Sequence, residues 1–141
     1  MMGSLFLVDT SVWIFALRRS PHEAIRHRIA ELLEMDTVAT CGLVVLELLG
    51  GTANEGEFAR LQQRLQGLHR LETREADWEE AARLAFSTRH AGIAVPFTDL
   101  LLSALAMRHD AVLLHADRDF DLVARHCDLM VESHVAAVSQ Q

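Results

Sequence analysis

The stretch whose reading decides the fold is Val95–Asp121, VPFTDLLLSALAMRHDAVLLHADRDFD. Pro96 interrupts whatever precedes it and Thr98 carries an N-capping hydroxyl, so the pattern predicts a helix from Asp99 to about His109. Ala111 to Leu114 then reads as a short buried strand. His115, Ala116 and aspartates at alternate positions, Asp117, Asp119 and Asp121, follow it, in the place where an open α/β sheet presents its functional loops. One carboxylate opens a helix and others close the next strand. Taken alone, Asp99 has an ordinary explanation, because the helix dipole favours an acid in the first turn.

Working outward, Leu5 to Val8 is a strand-like apolar run ending abruptly in Asp9, Thr10 and Ser11. Thr10 or Ser11 can cap Val12 to Leu17, whose Val12, Trp13, Phe15 and Ala16 pack it on the sheet. Asp9 by itself could be a mere strand-ending cap. Ser20, Pro21 and Glu23 predict a helix start with a capping box and proline at the first helical position, running to Met35 on Ile25, Ile29, Leu32 and Leu33. Thr37 to Thr40 reads as a second strand, and Gly42 to Leu49 as an apolar helix with Leu43, Leu46 and Leu49 along one side. Glu47 falls close to that side. A carboxylate there is costly unless it meets a metal, an arginine or water.

Further on, Asn54 with Glu57 opens a helix that reaches Gly67, and Leu68 to Glu72 is a candidate third strand. Thr73 caps a long helix carrying Trp78, Ala81, Ala82, Ala85 and Phe86 and stopping at Gly92. Phe120 to His126 reads as a short helix, Leu129 to Val131 as a last strand, and Ala136 to Gln141 as a loose tail. Strands alternating with helices predict an α/β fold, a mostly parallel central sheet flanked by helices on both faces. With 141 residues, half of them hydrophobic, a single domain over 1–141 is expected. In such a sheet Asp9 and Asp117 follow strands directly, and Glu47 and Asp99 lie on helices that can reach the same crevice.

Composition narrows the function. A net charge of −7 argues against a protein that coats nucleic acid through a uniformly basic surface. It leaves a nucleic-acid enzyme open, and all 13 basic residues are arginine, whose fork suits phosphate, although genome composition accounts for that bias as well. Cys41 and Cys127 are far apart without CxxC or Cys/His spacing and are expected as buried free thiols, and the eight histidines form no HExxH-type pair. The longest apolar runs, Gly42–Gly51 and Leu100–Met107, are interrupted by Glu47 and Ser103 and fall short of the roughly 20 residues of a membrane span. No basic leader precedes Asp9, so a cytoplasmic protein without membrane attachment is expected.

Converging carboxylates repel and raise one another's proton affinity unless a cation neutralises them. An all-oxygen set suits Mg²⁺ or Mn²⁺, which can activate water and stabilise charge on a phosphodiester, so the chemistry points to a nuclease. Rival readings fail on particular residues. An EF-hand loop starting at Asp117 needs glycine sixth and glutamate twelfth, where Leu122 and Asp128 stand. An aspartyl phosphatase wants a second acid where Ser11 stands, and a receiver domain needs a lysine that this chain lacks. The blandest rival is a binding domain whose acids are scattered caps.

Four segments in order, VDTSVWI at Val8–Ile14, VVLELLGG at Val44–Gly51, FTDLLLSALA at Phe97–Ala106 and LLHADRDF at Leu113–Phe120, resemble a PIN-domain ribonuclease. The resemblance covers nearly the whole chain and is nearest to the VapC-type toxins of toxin-antitoxin pairs. It implies a PIN-like fold and a metal-dependent endoribonuclease in which Asp9, Glu47, Asp99 and Asp117 form an acidic quartet around Mg²⁺ or Mn²⁺. Ser11 would support the first acid and Asp119 would be an auxiliary carboxylate. It further implies an RNA substrate, a homodimer, and a cognate antitoxin whose tail lies across helices beside the active site, with Trp13, Phe15 and the Leu100–Leu105 helix as candidate surfaces. One departure is His115, standing where the family usually has a small hydroxyl. An inert PIN-like module that only binds RNA or protein, and a housekeeping nuclease without an antitoxin, are the alternatives.

Overall fold

Strand β1 (Phe6–Val8) lies at the centre of the sheet because neither face of its Leu7–Val8 pair tolerates water, and both residues are fully buried. The computed structural model describes residues 3–139. On one side β1 pairs in parallel with β2 (Val38–Cys41), and β2 with β3 (His69–Leu71). On the other it pairs with β4 (Val112–His115), and β4 with β5 (Val131–Ser133), again in parallel. The order is therefore β3-β2-β1-β4-β5.

Parallel pairing requires crossovers, and helices supply them. Helices α1 (Thr10–Leu17) and α2 (Glu23–Glu34) lead from β1 to β2, and α3 (Gly42–Gly50) and α4 (Glu55–Gln66) lead from β2 to β3. Helices α5 (Glu75–His90) and α6 (Phe97–Arg108) carry the chain back across the sheet to β4, and α7 (Arg118–Ala124) connects β4 to β5. Because the last two crossovers run in the opposite direction, right-handed connection puts their helices on the opposite face. The packing agrees: α1 contacts α2 and α3, whereas α6 contacts α5 and α7. The expected α/β architecture with a parallel sheet is thus present. Leu100 to Ala106 of α6 is buried without a break, which makes α6 the core helix of its face.

Several local readings need correction. Helix α6 starts at Phe97 rather than Asp99, because the extended Pro96, not Thr98, occupies the cap position and its carbonyl accepts from Asp99 N–H. Helix α1 is capped by Asp9 itself rather than by Thr10 or Ser11. Helix α2 starts at Glu23, since the His22 ring accepts from Ile25 N–H and leaves Ser20 and Pro21 outside. In α3 the buried stripe is Val44 and Leu48, one turn apart, so Leu46 is exposed and Glu47 points to the accessible side rather than the core. In α5 the cap position is Arg74 rather than Thr73, and Ala81, Leu84 and Thr88 face inward while Trp78 and Phe86 are exposed.

The end of the chain is also tighter than expected. Asp117 caps α7, which therefore starts at Arg118, before Phe120. Strand β5 begins at Val131, and a short helix α8 (Val135–Val138) replaces most of the loose tail, whose Gln140 and Gln141 lie outside the described residues. Cys41 and Cys127 are free, the first buried and the second partly so. Among the described residues no helix is long and apolar enough to cross a membrane.

Candidate metal centre

The sheet's order turns between β1 and β4: the chain leaves β1 toward one edge and β4 toward the other. A crevice opens at the carboxyl ends of such a strand pair. Val8 lies in register with Leu114, and the Asp9 N–H donates to the Leu114 carbonyl at 2.9 Å, so the acids that follow these two strands meet there.

Asp9 is 7% exposed, and its Oδ2 accepts from Ser11 N–H at 3.0 Å and from the Ser11 hydroxyl at 2.6 Å. The same hydroxyl oxygen accepts from Ala116 N–H at 3.0 Å, which ties the loop after β4 to the loop after β1. Asp117 turns the chain into α7, its Oδ1 accepting from Asp119 N–H at 3.0 Å. Asp99 enters from the first turn of α6, where twelve residues of aligned peptide dipole favour a negative charge.

Asp99, Asp117 and Asp119 each offer a carboxylate oxygen, and these oxygens all lie within 4.8 Å of one another. Asp99 Oδ2 is buried and has no hydrogen-bond partner among the described residues. Burial first, and then the charges of Asp117, Asp9, Asp119 and Glu47, push the Asp99 carboxyl up to about 7. Burial and Asp117 likewise push Asp119 above the usual carboxylate range. Glu47 reaches the site from its accessible flank: it is exposed, and its Oε1 accepts from the Thr10 hydroxyl at 3.2 Å. Of the predicted quartet, the structure thus brings Asp99 and Asp117 together with Asp119, whereas Asp9 and Glu47 lie outside that cluster and act on Asp99 through their charge. The apolar side that Glu47 was expected to border is turned away from it.

Asp121 does not join the cluster. Its Oδ1 lies 3.0 Å from His115 Nε2 and its Oδ2 accepts from the Ser133 hydroxyl at 2.9 Å. Burial holds the fully enclosed His115 imidazole below its usual range in spite of Asp121. The sequence reading gave site roles to Asp117 and Asp119 and none to Asp121, and did not foresee its ties to His115 and Ser133. The signal was the acid six residues after a histidine that ends a strand. The donor set of the crevice, all carboxylate with one oxygen buried and unsatisfied, fits a hard divalent cation and offers nothing to a soft one.

A second concavity lies on the α1–α4 face. Two adjoining hollows of about 630 and 760 Å³ share Trp13, Leu17, Leu61 and Arg64 as lining. Arg19, Arg26 and Arg60 line them as well. Trp13 Nε1 is buried and has no hydrogen-bond partner among the described residues. Of the candidate partner surfaces, Trp13 lines this groove and Phe15 is half-buried, whereas Leu100–Leu105 are core residues and present no surface.

The sequence profile of the PIN domain matches residues 6–126. Ribonuclease VapC11 of Mycobacterium tuberculosis is 33% identical over 134 residues, covering 92% of this chain and 98% of the relative. Ribonuclease VapC51 of the same organism is 32% identical over 126 residues, 87% of this chain and 88% of the relative. Among solved structures, the fold is similar to a DNA-bound VapBC from Salmonella typhimurium, with a TM-score of 0.78 at 20% identity over 93% of this chain and 98% of that one. It is similar also to VapBC2 from Rickettsia felis bound to a promoter DNA fragment, with a TM-score of 0.76 at 18% identity over 92% and 98%.

Proposed function

This chain belongs to the PIN-domain family, and from that premise we propose that residues 1–141 form one PIN-like domain acting as a Mg²⁺- or Mn²⁺-dependent endoribonuclease, the toxin of a toxin-antitoxin pair. The observation that carries the reading is the buried, unpartnered Asp99 Oδ2 inside a cluster of aspartates. Such a group is costly to keep unless something positive completes it. Asp9, Asp99 and Asp117 would hold the ion, with Glu47 at the rim and Asp119 as an auxiliary carboxylate. When bound, the ion supplies an activated water and charge stabilisation on a phosphodiester.

The chain's own residues prepare the site. Ser11 fixes one oxygen of Asp9 by two hydrogen bonds. Asp117 spends one oxygen on the Asp119 amide. Burial and the neighbouring acids push the Asp99 carboxyl up to about 7, so its charge is the one the site holds least comfortably without a cation.

The relatives named VapC are ribonucleases and the similar structures are VapBC complexes, which supports an antitoxin partner for this chain. We place the antitoxin segment in the groove floored by Trp13, Leu17 and Leu61, where the arginine rim suits an acidic amphipathic peptide. Trp78, Phe86 and Phe97 are 57%, 66% and 73% exposed on α5 and α6, and a second copy of the chain covers them in the homodimer we propose. Activity in the cytoplasm follows from this role.

The test is RNA cleavage by the purified protein with Mn²⁺, with EDTA, and with an Asp117→Asn variant, each beside a measurement of RNA binding. Cleavage that needs the metal and Asp117, with binding kept throughout, is the expected result. Binding without metal-dependent cleavage would make the protein a PIN-like binding module instead.

A further inference from the structure

The loop between β4 and α7 consists of Ala116 and Asp117 alone, and side chains hold both amides and that of Asp119. Ser11 Oγ takes the N–H of Ala116, Asp117 Oδ1 takes that of Asp119, and His115 Nδ1 takes that of Asp117 at 3.2 Å. His115 is fully buried at the end of β4, and the ring of Phe120 packs with its centroid 5.2 Å away. Since Nδ1 accepts, the proton of the neutral ring stands on Nε2, where it donates to Asp121 Oδ1 at 3.0 Å. Asp121 is fixed in turn by the Ser133 hydroxyl of β5, and the His115 carbonyl accepts from His134 N–H at 2.8 Å.

We propose that His115 is a positioning residue for the metal centre: the Ser133–Asp121–His115 chain sets the imidazole tautomer, and Nδ1 then fixes the backbone of Asp117 and so aims its carboxylate. The inference rests on the metal-centre reading above. A hydroxyl at this position could reach the Asp117 amide but could not span to Asp121, so the imidazole adds a tie from the loop to α7 and β5. It also assigns the three alternate aspartates. Asp117 and Asp119 face the crevice, and both oxygens of Asp121 are committed to the chain behind it.

The two amide replacements separate positioning from simple packing. In His115→Asn the amide oxygen can take the place of Nδ1 and keep the acceptor for Asp117. In His115→Gln the amide nitrogen can reach the place of Nε2 and keep the donor to Asp121, but the acceptor for Asp117 is lost. Mn²⁺ is titrated into each metal-free protein and binding is followed by the rise in melting temperature. For an equal rise in melting temperature, Asn is expected to need within about threefold of the wild-type Mn²⁺ concentration and Gln about tenfold more or worse, the usual scale for losing an orienting partner.

A wild type that does not respond to Mn²⁺ overturns the metal-centre reading itself. A wild type that responds, with Gln responding equally or with Asn and Gln impaired alike, overturns the positioning role alone. If the His115 variants fail to fold, nitrogen NMR of the metal-free wild type and of the surface variant Ser133→Ala decides. Protonation on Nε2 in the wild type, together with a weaker Mn²⁺ response in Ser133→Ala, supports the proposal. Protonation on Nδ1, or an undiminished response in Ser133→Ala, overturns it.

Discussion

At the carboxyl end of α6, Arg108 places Nε 2.7 Å from Asp77 Oδ1 and a second guanidinium nitrogen 3.0 Å from Oδ2, and the Arg74 amide adds a third bond at 2.8 Å. At the amino end of the same helix, Asp99 leaves Oδ2 buried and without a hydrogen-bond partner among the described residues. Asp77 is removed from water and Asp99 is part-buried with one oxygen enclosed, and burial pushes both toward the neutral form. Around Asp77 the arginine and the amide outweigh burial and hold the group below the usual carboxylate range, whereas at Asp99 neighbouring acids add to burial and carry it to about 7. A satisfied buried charge latches α5 to α6. An unsatisfied one in a crevice, among other acids, marks where something must bind.

The sharpest way to break that contrast is to neutralise the unsatisfied end. Asp99→Asn should fold, because asparagine remains compatible with the helix start, and its RNA cleavage should fall by about a hundredfold or more as transition-state stabilisation of several kcal/mol is lost. A gel-based rate at saturating Mn²⁺ and an RNA binding curve measure the two effects separately. At the other end, Arg108→Met leaves Asp77 buried and unpaired, and urea denaturation should register a loss of about 3–5 kcal/mol. Cleavage per folded molecule should hardly change. A mirror-image outcome, with stability lost at Asp99 and activity at Arg108, would show the two ends to be assigned the wrong way round.

A smaller effect follows from the Asp99 shift. With the folded carboxyl at about 7 and the unfolded one at the model-peptide value of about 4, the folded state holds more protons between those limits. Metal-free protein should therefore lose stability as pH rises from about 4 to 7 and level off above, and Asp99→Asn should flatten that slope. Asp77 works in the opposite sense, its contribution being present above the unfolded value and lost as pH falls through its lower folded one. Melting curves from pH 4 to 8 on wild type and Asp99→Asn would check the Asp99 slope, and extending the wild-type series to more acid pH would check Asp77. The smallest effect concerns the turn after α6, where Asp110 has φ of 50°. Asp110→Gly relieves the left-handed strain at some cost in unfolded-chain entropy, for a net gain of roughly 0.5 kcal/mol in urea denaturation.

The same contrast explains what could be read from the sequence. Asp9 and Asp117 were legible because each ends an apolar run, and strand ends in a parallel sheet have one address. Asp99 was legible as the acid that opens a helix, although Pro96 rather than Thr98 sets the boundary. Glu47 was picked out for a reason the structure reverses: Leu46 is exposed and the buried stripe is Val44 and Leu48, so the helix is rotated and Glu47 reaches the crevice from the solvent side. A helix such as α3, with Glu47 as its one charged residue, gives too little periodicity to fix its rotation. The Arg108–Asp77 latch was invisible because its partners are separated by 31 positions and each looks like an ordinary helix-end charge. His115 was noticed only as a departure, since its role depends on Ser133 of a strand that sequence placed two residues too early.

The central claim, that Asp99 Oδ2 stands among other acids without a hydrogen-bond partner among the described residues in order to hold a divalent ion, is tested most directly by the melting temperature of the metal-free protein as Mn²⁺ is added, in wild type and in Asp99→Asn at pH 8. The wild type should rise with the logarithm of Mn²⁺ concentration above the dissociation constant, while Asp99→Asn should start from a higher melting temperature without metal and gain much less on titration. Equal gains in the two proteins, or a flat response in the wild type, would contradict it.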